Sequence, residues 1–378
     1  MLIGRTTQHP QPVGDVRCNF NLPRRQFLFG IGGIAALAAG ALLPRRNLRA
    51  QVPAVNSGRI DVHSHFAPPA WVSAIEAKRG HKFIGDAEFL NAFKNWTPAK
   101  SIEQMDQAGI ATSVVSITTP GIWFGDNDSP LGATRQLARQ CNEYGARMAA
   151  DFPGRFGLFA VLPLPDVEGS LHEIEHALDT LKADGFGLLT HYSETYGDKL
   201  LGDAAFAPVF GELNRRKAVV YIHRKISAGP SEIFGWDVHR TILSLLKDAG
   251  TGSQHEYTAR FPDVRFIFCD AGGTMPFLIR RSTAPASAAG NAASGTETPL
   301  LRAVRQFYYG TGRSNNYQTI TTLKQIVPLP HILFGTDYPY AQVTDEARGL
   351  ELSGAFNSQE LAAVYRENAL ALLPRFRR

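Results

Sequence analysis

Five side chains with chemistry to offer stand at the ends of apolar runs. His63 and His65 sit two apart in RIDVHSH (59–65), and His223 lies at the end of AVVYIHR (218–224). Asp270 closes VRFIFCD (264–270), and Asp337 closes HILFGTD (331–337). On an extended strand side chains alternate, so Asp61, His63 and His65 are expected on one face, with Ile60, Val62 and Ser64 on the other. Two imidazoles on one strand, a third from a distant strand and a carboxylate form a donor set suited to zinc or another divalent ion. A metal that works on a substrate keeps an open position and lowers the pKa of water toward about 7. Three or four protein ligands leave that room. The alternative is a set of unrelated polar residues at strand ends.

Positioning such groups requires strands whose ends meet. From residue 58 onward short β-rich runs alternate with helical segments. Besides RIDVHSH, AVVYIHR, VRFIFCD and HILFGTD, the strand candidates are ATSVVSI (111–117), FGLFAVLP (156–163), GFGLLTH (185–191) and QFYYGT (306–311). Between them lie amphipathic stretches such as LGATRQLARQCNEYGARMAADF and AAFAPVFGELNRRK. Eight strands alternating with helices predict an α/β fold, a (β/α)8 TIM barrel, in which chemistry sits at the C-terminal strand ends. A doubly wound open sheet would need a glycine-rich phosphate turn after its first strand, and none is present. The stretch TAPASAAGNAASGTE (283–297) is small, polar and low in complexity, and reads as a loop at the catalytic or interface end.

The motifs DVHSHF, VVYIHR, AGGTMPF and LFGTDYP, in this order, resemble the amidohydrolase superfamily. The resemblance is to the amidohydrolase-related branch that includes aminocarboxymuconate-semialdehyde decarboxylase and other non-oxidative decarboxylases. It runs from about residue 58 to ENALALLPRF near the C-terminus. It implies a barrel of the metal-dependent hydrolase type with His63, His65, His223 and Asp337 as metal ligands. Strand four ends in Thr190 and His191 and offers no bridging lysine, so one divalent ion is implied, zinc first and manganese as the alternative.

Departures from the family pattern bear on the reaction. FCDAGG places Asp270 where members carry a proton-transferring histidine. An ordinary aspartate is ionised at neutral pH, so Asp270 serves as a base more readily than as an acid unless burial raises its pKa, and a metal's charge would push that pKa down; the substitution weakens the decarboxylase expectation and leaves a hydrolase more comfortable. His191 is a second candidate for proton handling, read from its strand-end position. Arg224 stands where the family has proline. With Lys225 it reads either as an anion-attracting pair or, more plainly, as a solvated basic pair. Arg281 lies at the offset from which a decarboxylase arginine reaches a neighbouring subunit's site, which implies a substrate carboxylate contact and a homodimer. Trp123 and Phe124, in TPGIWFGDN (119–127), either wall a pocket for a planar ring or pack against the rim.

Charge separates the first fifty residues from the rest. They hold seven arginines, no lysine and one acid, Asp15, while the remainder carries 32 basic and 33 acidic residues. The pI near 9.1 therefore belongs to the leader and gives no argument for nucleic acid. Arg24 and Arg25 precede a Gly/Ala-rich apolar run from Phe27 to Leu43, which resembles a twin-arginine (Tat) export signal. The expected organisation is a leader over 1–50 and a barrel domain over 51–378, exported to the periplasm by the Tat machinery. Cleavage after Ala50 would put the large Leu48 at position −3, and an uncleaved membrane anchor is the alternative. Cys141 and Cys269 read as buried unpaired thiols.

LHEIEH (171–176) has metalloprotease H-E-x-x-H spacing, but His172 and His176 fall opposite the stripe formed by Leu171, Ile174, Leu178 and Leu181. It reads as a solvent-facing helix. Three functions follow as expectations. The first is a metal-dependent decarboxylase of an unsaturated or aromatic carboxylic acid. The second is a metal-dependent hydrolase of an amide, lactone or ester, with Asp270 as base. The third is a catalytically silent barrel that binds a ligand.

Overall fold

The computed structural model describes residues 58–78, 87–125, 129–192, 199–225, 235–246, 256–283 and 299–377. The leader, most of the stretch 283–297 and the side chain of Arg281 lie outside the described residues. Among those described, no helix is long and apolar enough to cross a membrane.

Eight parallel strands run in chain order: β1 (Arg59–His65), β2 (Ile110–Ser116), β3 (Phe156–Val161), β4 (Gly185–Leu189), β5 (Val219–His223), β6 (Arg265–Phe268), β7 (Tyr308–Gly310) and β8 (Ile332–Leu333). Each expected strand is present; β1 keeps its expected bounds, and the other seven end before the expected C-terminal residue. β8 itself is only two residues long, but the chain beyond it closes the barrel against β1. Val62 N–H donates to Phe334 O (3.0 Å), Asp337 N–H to His63 O (2.7 Å) and His65 N–H to Tyr338 O (2.8 Å). The fold is a (β/α)8 barrel, with both strand faces buried as parallel sheets demand.

Helices cover the outside through single apolar stripes. Leu131–Asp151 buries Thr134, Ala138, Cys141, Asn142, Gly145 and Met148, at the spacings of one helix face. Cys141 in that helix and Cys269, just past β6, are both free and buried. The H-E-x-x-H segment lies on Val167–Glu175 and the turn after it. His172 is exposed, as expected, but Glu173 is buried and accepts hydrogen bonds from Arg139 Nε (2.9 Å) and Asn142 Nδ2 (2.8 Å). Its carboxylate clamps two neighbouring helices together.

Within the barrel, Tyr221 lies one layer below His223 on β5. Its ring packs on His63 (5.4 Å between centroids) and stacks on Phe159 of β3 (5.7 Å). The metal-ligating candidates thus rest on a packed aromatic floor at the C-terminal mouth.

Candidate metal centre

His63, His65, His223 and Asp337 converge: one ligand atom from each lies within 4.8 Å of all the others. It is the one such group found among the described residues. Asp337 Oδ1 sits 3.1 Å from His63 Nε2, 3.1 Å from His65 Nε2 and 3.7 Å from His223 Nε2. Three imidazole nitrogens crowd one carboxylate oxygen.

The outer ring nitrogens fix how two of these imidazoles present themselves. His223 Nδ1 is 2.7 Å from Arg224 O, and His65 Nδ1 is 3.3 Å from Ser116 O. A carbonyl can only accept, so His223 Nδ1 carries the proton and its Nε2 turns a lone pair inward, the tautomer a metal ligand needs, while His65 Nδ1 also lies 3.2 Å from Ser116 Oγ. Burial lowers the pKa of both, His223 to about 3, so they are neutral at physiological pH. Both ring nitrogens of His63 are buried without a hydrogen-bond partner. Buried polar atoms are seldom left so, and a cation bound by Nε2 would satisfy the inner one. Burial pushes the Asp337 carboxyl upward, but the three imidazoles crowded around it, His63 first, outweigh it and hold it well below the usual range. Three imidazoles and an ionised carboxylate fit a divalent ion.

The backbone around His63 is close. A Cβ on Gly312 would fall 2.7 Å from His63 Nδ1, and one on Gly335 would fall 2.6 Å from His63 Cβ. Only glycine permits the chains after β7 and β8 to pass there. Simple alternation does not carry through β1. Its register against β2 slips between Asp61 and Ser64, a bulge that re-aims the side chains. Asp61 instead accepts from Thr336 Oγ1 (2.6 Å), Thr336 N–H (3.1 Å) and His63 N–H (3.0 Å), bracing β1 to the closing segment. Burial raises its pKa to about 7 against those hydrogen bonds.

Asp270 and Asp337 were expected at extended strand ends. Both occupy left-handed turns instead, with φ of 51° and 60°. Asp270 is 3% exposed, and neither carboxylate oxygen has a hydrogen bond. Arg224 Nε lies 3.5 Å from Oδ2. Burial first, then the charge of Asp337, push Asp270 up to about 7, against the pull of Arg224.

The other expected residues divide. The solvated basic pair is not what the fold contains: Lys225 is 2% exposed, with its ammonium 4.6 Å over the Trp123 ring, and Arg224 faces Asp270. Phe124 packs into the hydrophobic core, its N–H held by Ser129 Oγ (2.6 Å). Trp123 is buried but outside that core cluster, covered by Lys225. His191 is buried at the end of β4, bridged to Leu200, and is not part of the four-residue cluster. Residues the sequence did not single out are Ser116, Gly312, Arg313 and Glu346. Arg313 Nε lies 3.8 Å from Asp337 Oδ2, and Glu346 accepts from Arg313 N–H (3.0 Å). The glycines of YYGTGR and LFGTD were the only signal that the chain passes close to something there.

The chain is similar to known proteins over most of its length. The chain is 36% identical to "Decarboxylase macB" of Penicillium terrestre, over 84% of this chain and 96% of that protein. It is 33% identical to the 6-methylsalicylic acid decarboxylase acuB of Aspergillus aculeatus, over 85% and 97%. The fold matches that of a dihydroxybenzoic acid decarboxylase from Polaromonas sp. JS666, solved with bound manganese and the inhibitor 2-nitroresorcinol. That match has a TM-score of 0.71 at 20% identity and covers 85% of this chain and 98% of the other. With the family described as Amidohydrolase matching residues 60–375, the chain belongs to the amidohydrolase family.

Proposed function

We propose that this enzyme is a metal-dependent, non-oxidative decarboxylase of an aromatic or unsaturated carboxylic acid. A divalent ion on His63, His65, His223 and Asp337 would serve as a Lewis acid that anchors substrate oxygen and stabilises developing negative charge. The zinc-like donor set and the manganese of the Polaromonas neighbour name the two ions to test. Asp270 supplies the proton. The substrate carbon takes it and loses carbon dioxide, and the electron pair of the broken C–C bond stays with the product. Each turnover consumes one proton, which Asp270 recovers from water. Arg224 steadies the carboxylate left behind.

The observation that carries this reading is the divergence of two buried carboxyls in one mouth. Asp337 is held well below its ordinary range, and Asp270 is pushed up to about 7. Environments that drive two acids apart assign one as ligand and the other as proton carrier. Burial thus works against the ordinary ionisation of this aspartate, while the charge of a bound metal pulls the other way. We further propose, from the sequence, that residues 1–50 are a Tat leader directing the barrel domain 51–378 to the periplasm. A homodimer contact through Arg281, and proton handling by His191, stand as additional proposals.

The test begins with metal content of protein lacking residues 1–50. We expect about one zinc or manganese per chain, lost in Asp337→Ala. The loaded enzyme is then given substituted benzoic acids and unsaturated dicarboxylic acids, with carbon dioxide and product measured. In heavy water one deuterium should appear at the carbon that bore the carboxyl group. Asp270→Asn should lose about 100-fold or more in kcat. Cleavage of an amide, lactone or ester with no carbon dioxide from any acid would make the enzyme a hydrolase instead.

A further inference from the structure

We infer that Arg313 is the residue through which this site recognises a substrate group that keeps its negative charge through the reaction. The inference rests on the decarboxylase reading for the reaction and on the loop after β7 for the residue.

That loop is anchored on both sides of the mouth. Thr311 N–H donates to Leu333 O (2.9 Å), and Ser314 N–H returns to Thr311 O (3.0 Å). Gly312 lies against His63, as described. Arg313 then takes φ of 60°, a left-handed conformation uncommon for a residue with a long side chain. Glu346, 8% exposed in the first turn of the helix Val343–Leu352, holds it there. Its Oε2 accepts from Arg313 N–H (3.0 Å) and from Asn315 Nδ2 (3.1 Å).

The result is a guanidinium at the ligand cluster, facing the outer carboxylate oxygen of Asp337. Asp337 turns Oδ1 to the three imidazoles and Oδ2 toward Arg313 Nε, 3.8 Å away. The Arg313 side chain is 40% exposed, and its guanidinium makes no hydrogen bond to a described residue. A planar fork of this kind suits an anionic oxygen or carboxylate.

The reaction selects which anion. The departing carboxylate becomes neutral carbon dioxide, so a cation gripping it would favour the ground state over the transition state. A cation is better matched to a group that stays on the product with its charge. That group is an anionic oxygen elsewhere on the ring or chain, either an ionisable hydroxyl or a second carboxylate.

Binding can be read without turnover by working in an Asp270→Asn background with the metal loaded. The probes are 2-hydroxybenzoate, isophthalate and benzoate, measured calorimetrically with and without Arg313→Met and Arg313→Lys. Removing a charge-assisted hydrogen bond should weaken 2-hydroxybenzoate, isophthalate or both by about 10- to 100-fold. Benzoate should change by less than about 3-fold, Arg313→Lys should fall between, and metal content should be unchanged. A response to 2-hydroxybenzoate alone names a ring hydroxyl as the group read, and one to isophthalate alone names a second carboxylate. Equal weakening of all three, no weakening of any, or loss of metal would overturn the inference and leave Arg313 at most a prop for Asp337. Absence of carbon dioxide from the parent enzyme would sink the decarboxylase reading separately, with this selectivity still measured.

Discussion

A buried carboxyl that must carry a proton at neutral pH leaves a mark on stability, and the mark has a sign. Burial moves Asp270 from the ordinary 3.8 to about 7 in the folded chain. The unfolded chain ionises it at the ordinary value. Between those two values the folded state therefore binds more protons than the unfolded state, and stability falls as pH rises through the window. The move from 3.8 to about 7 integrates to roughly 4 kcal/mol of stability lost by pH 8, of which about 2 kcal/mol is already lost at pH 5.

Asp270→Asn keeps the shape and removes the ionisation. The amide adds unpaired polar atoms of its own, which offset part of the gain at every pH. The change with pH is not offset. In chelator-treated protein, the stability of the variant minus that of the parent should rise by about 2–3 kcal/mol between pH 5 and pH 8. Urea unfolding by circular dichroism at pH 5, 6.5 and 8, extrapolated linearly, reads it. A bound divalent cation pulls Asp270 the other way, so reloaded protein should show a shallower slope. A difference that stays flat within about 0.5 kcal/mol, or falls with pH, would refute the reasoning, because a carboxyl so easily ionised in the folded state could not hold the proton the reaction requires.

Two other perturbations test the architecture. Gly312→Ala would place a methyl 2.7 Å from His63 Nδ1. It should weaken metal binding by about 10- to 100-fold in a competition titration with a chelating dye, and unchanged affinity would mean the loop yields freely. Glu173→Gln disturbs the buried clamp to Arg139 and Asn142 and should destabilise the fold by about 1–3 kcal/mol in urea. Metal content should stay constant, and its loss would return H-E-x-x-H to consideration as a site.

The strands and the ligand quartet were legible because burial and pairing leave periodic traces. A β-run that ends in His or Asp is readable when its neighbours are apolar, as at His223. What could not be read depended on the third dimension. The bulge in β1 is a mismatch with β2, a partner more than forty residues away, so Asp61 braces Thr336 and does not join the histidines. Lys225 looks like a surface residue by type, and its burial depends on Trp123 arriving from another loop. Trp123 and Phe124 are adjacent and equally aromatic, but only Phe124 enters the core. The pKa of Asp270 was the decisive unknown, since side-chain type gives the ordinary value and burial supplies the rest.

The handedness of the backbone was equally hidden, and it organises the mouth. Asp270, Arg313 and Asp337 all have φ between 51° and 60°, and they follow β6, β7 and β8 in turn. Each non-glycine residue in that region carries a penalty of about 1–2 kcal/mol that glycine would relieve. Glycine would also remove the charge. The three successive turns thus carry the side chains to which the proposed roles fall: proton carrier, anion reader and cation ligand. Two of the three imidazoles lie on β1 and the third on β5, where barrel packing fixes them without strain. The division has a functional consequence. On the proposed roles, exchanging Asp270 or Arg313 in the turns after β6 and β7 would change the proton donor or the recognised substituent while leaving the strand-borne histidines in place, so one scaffold would serve different substrate acids.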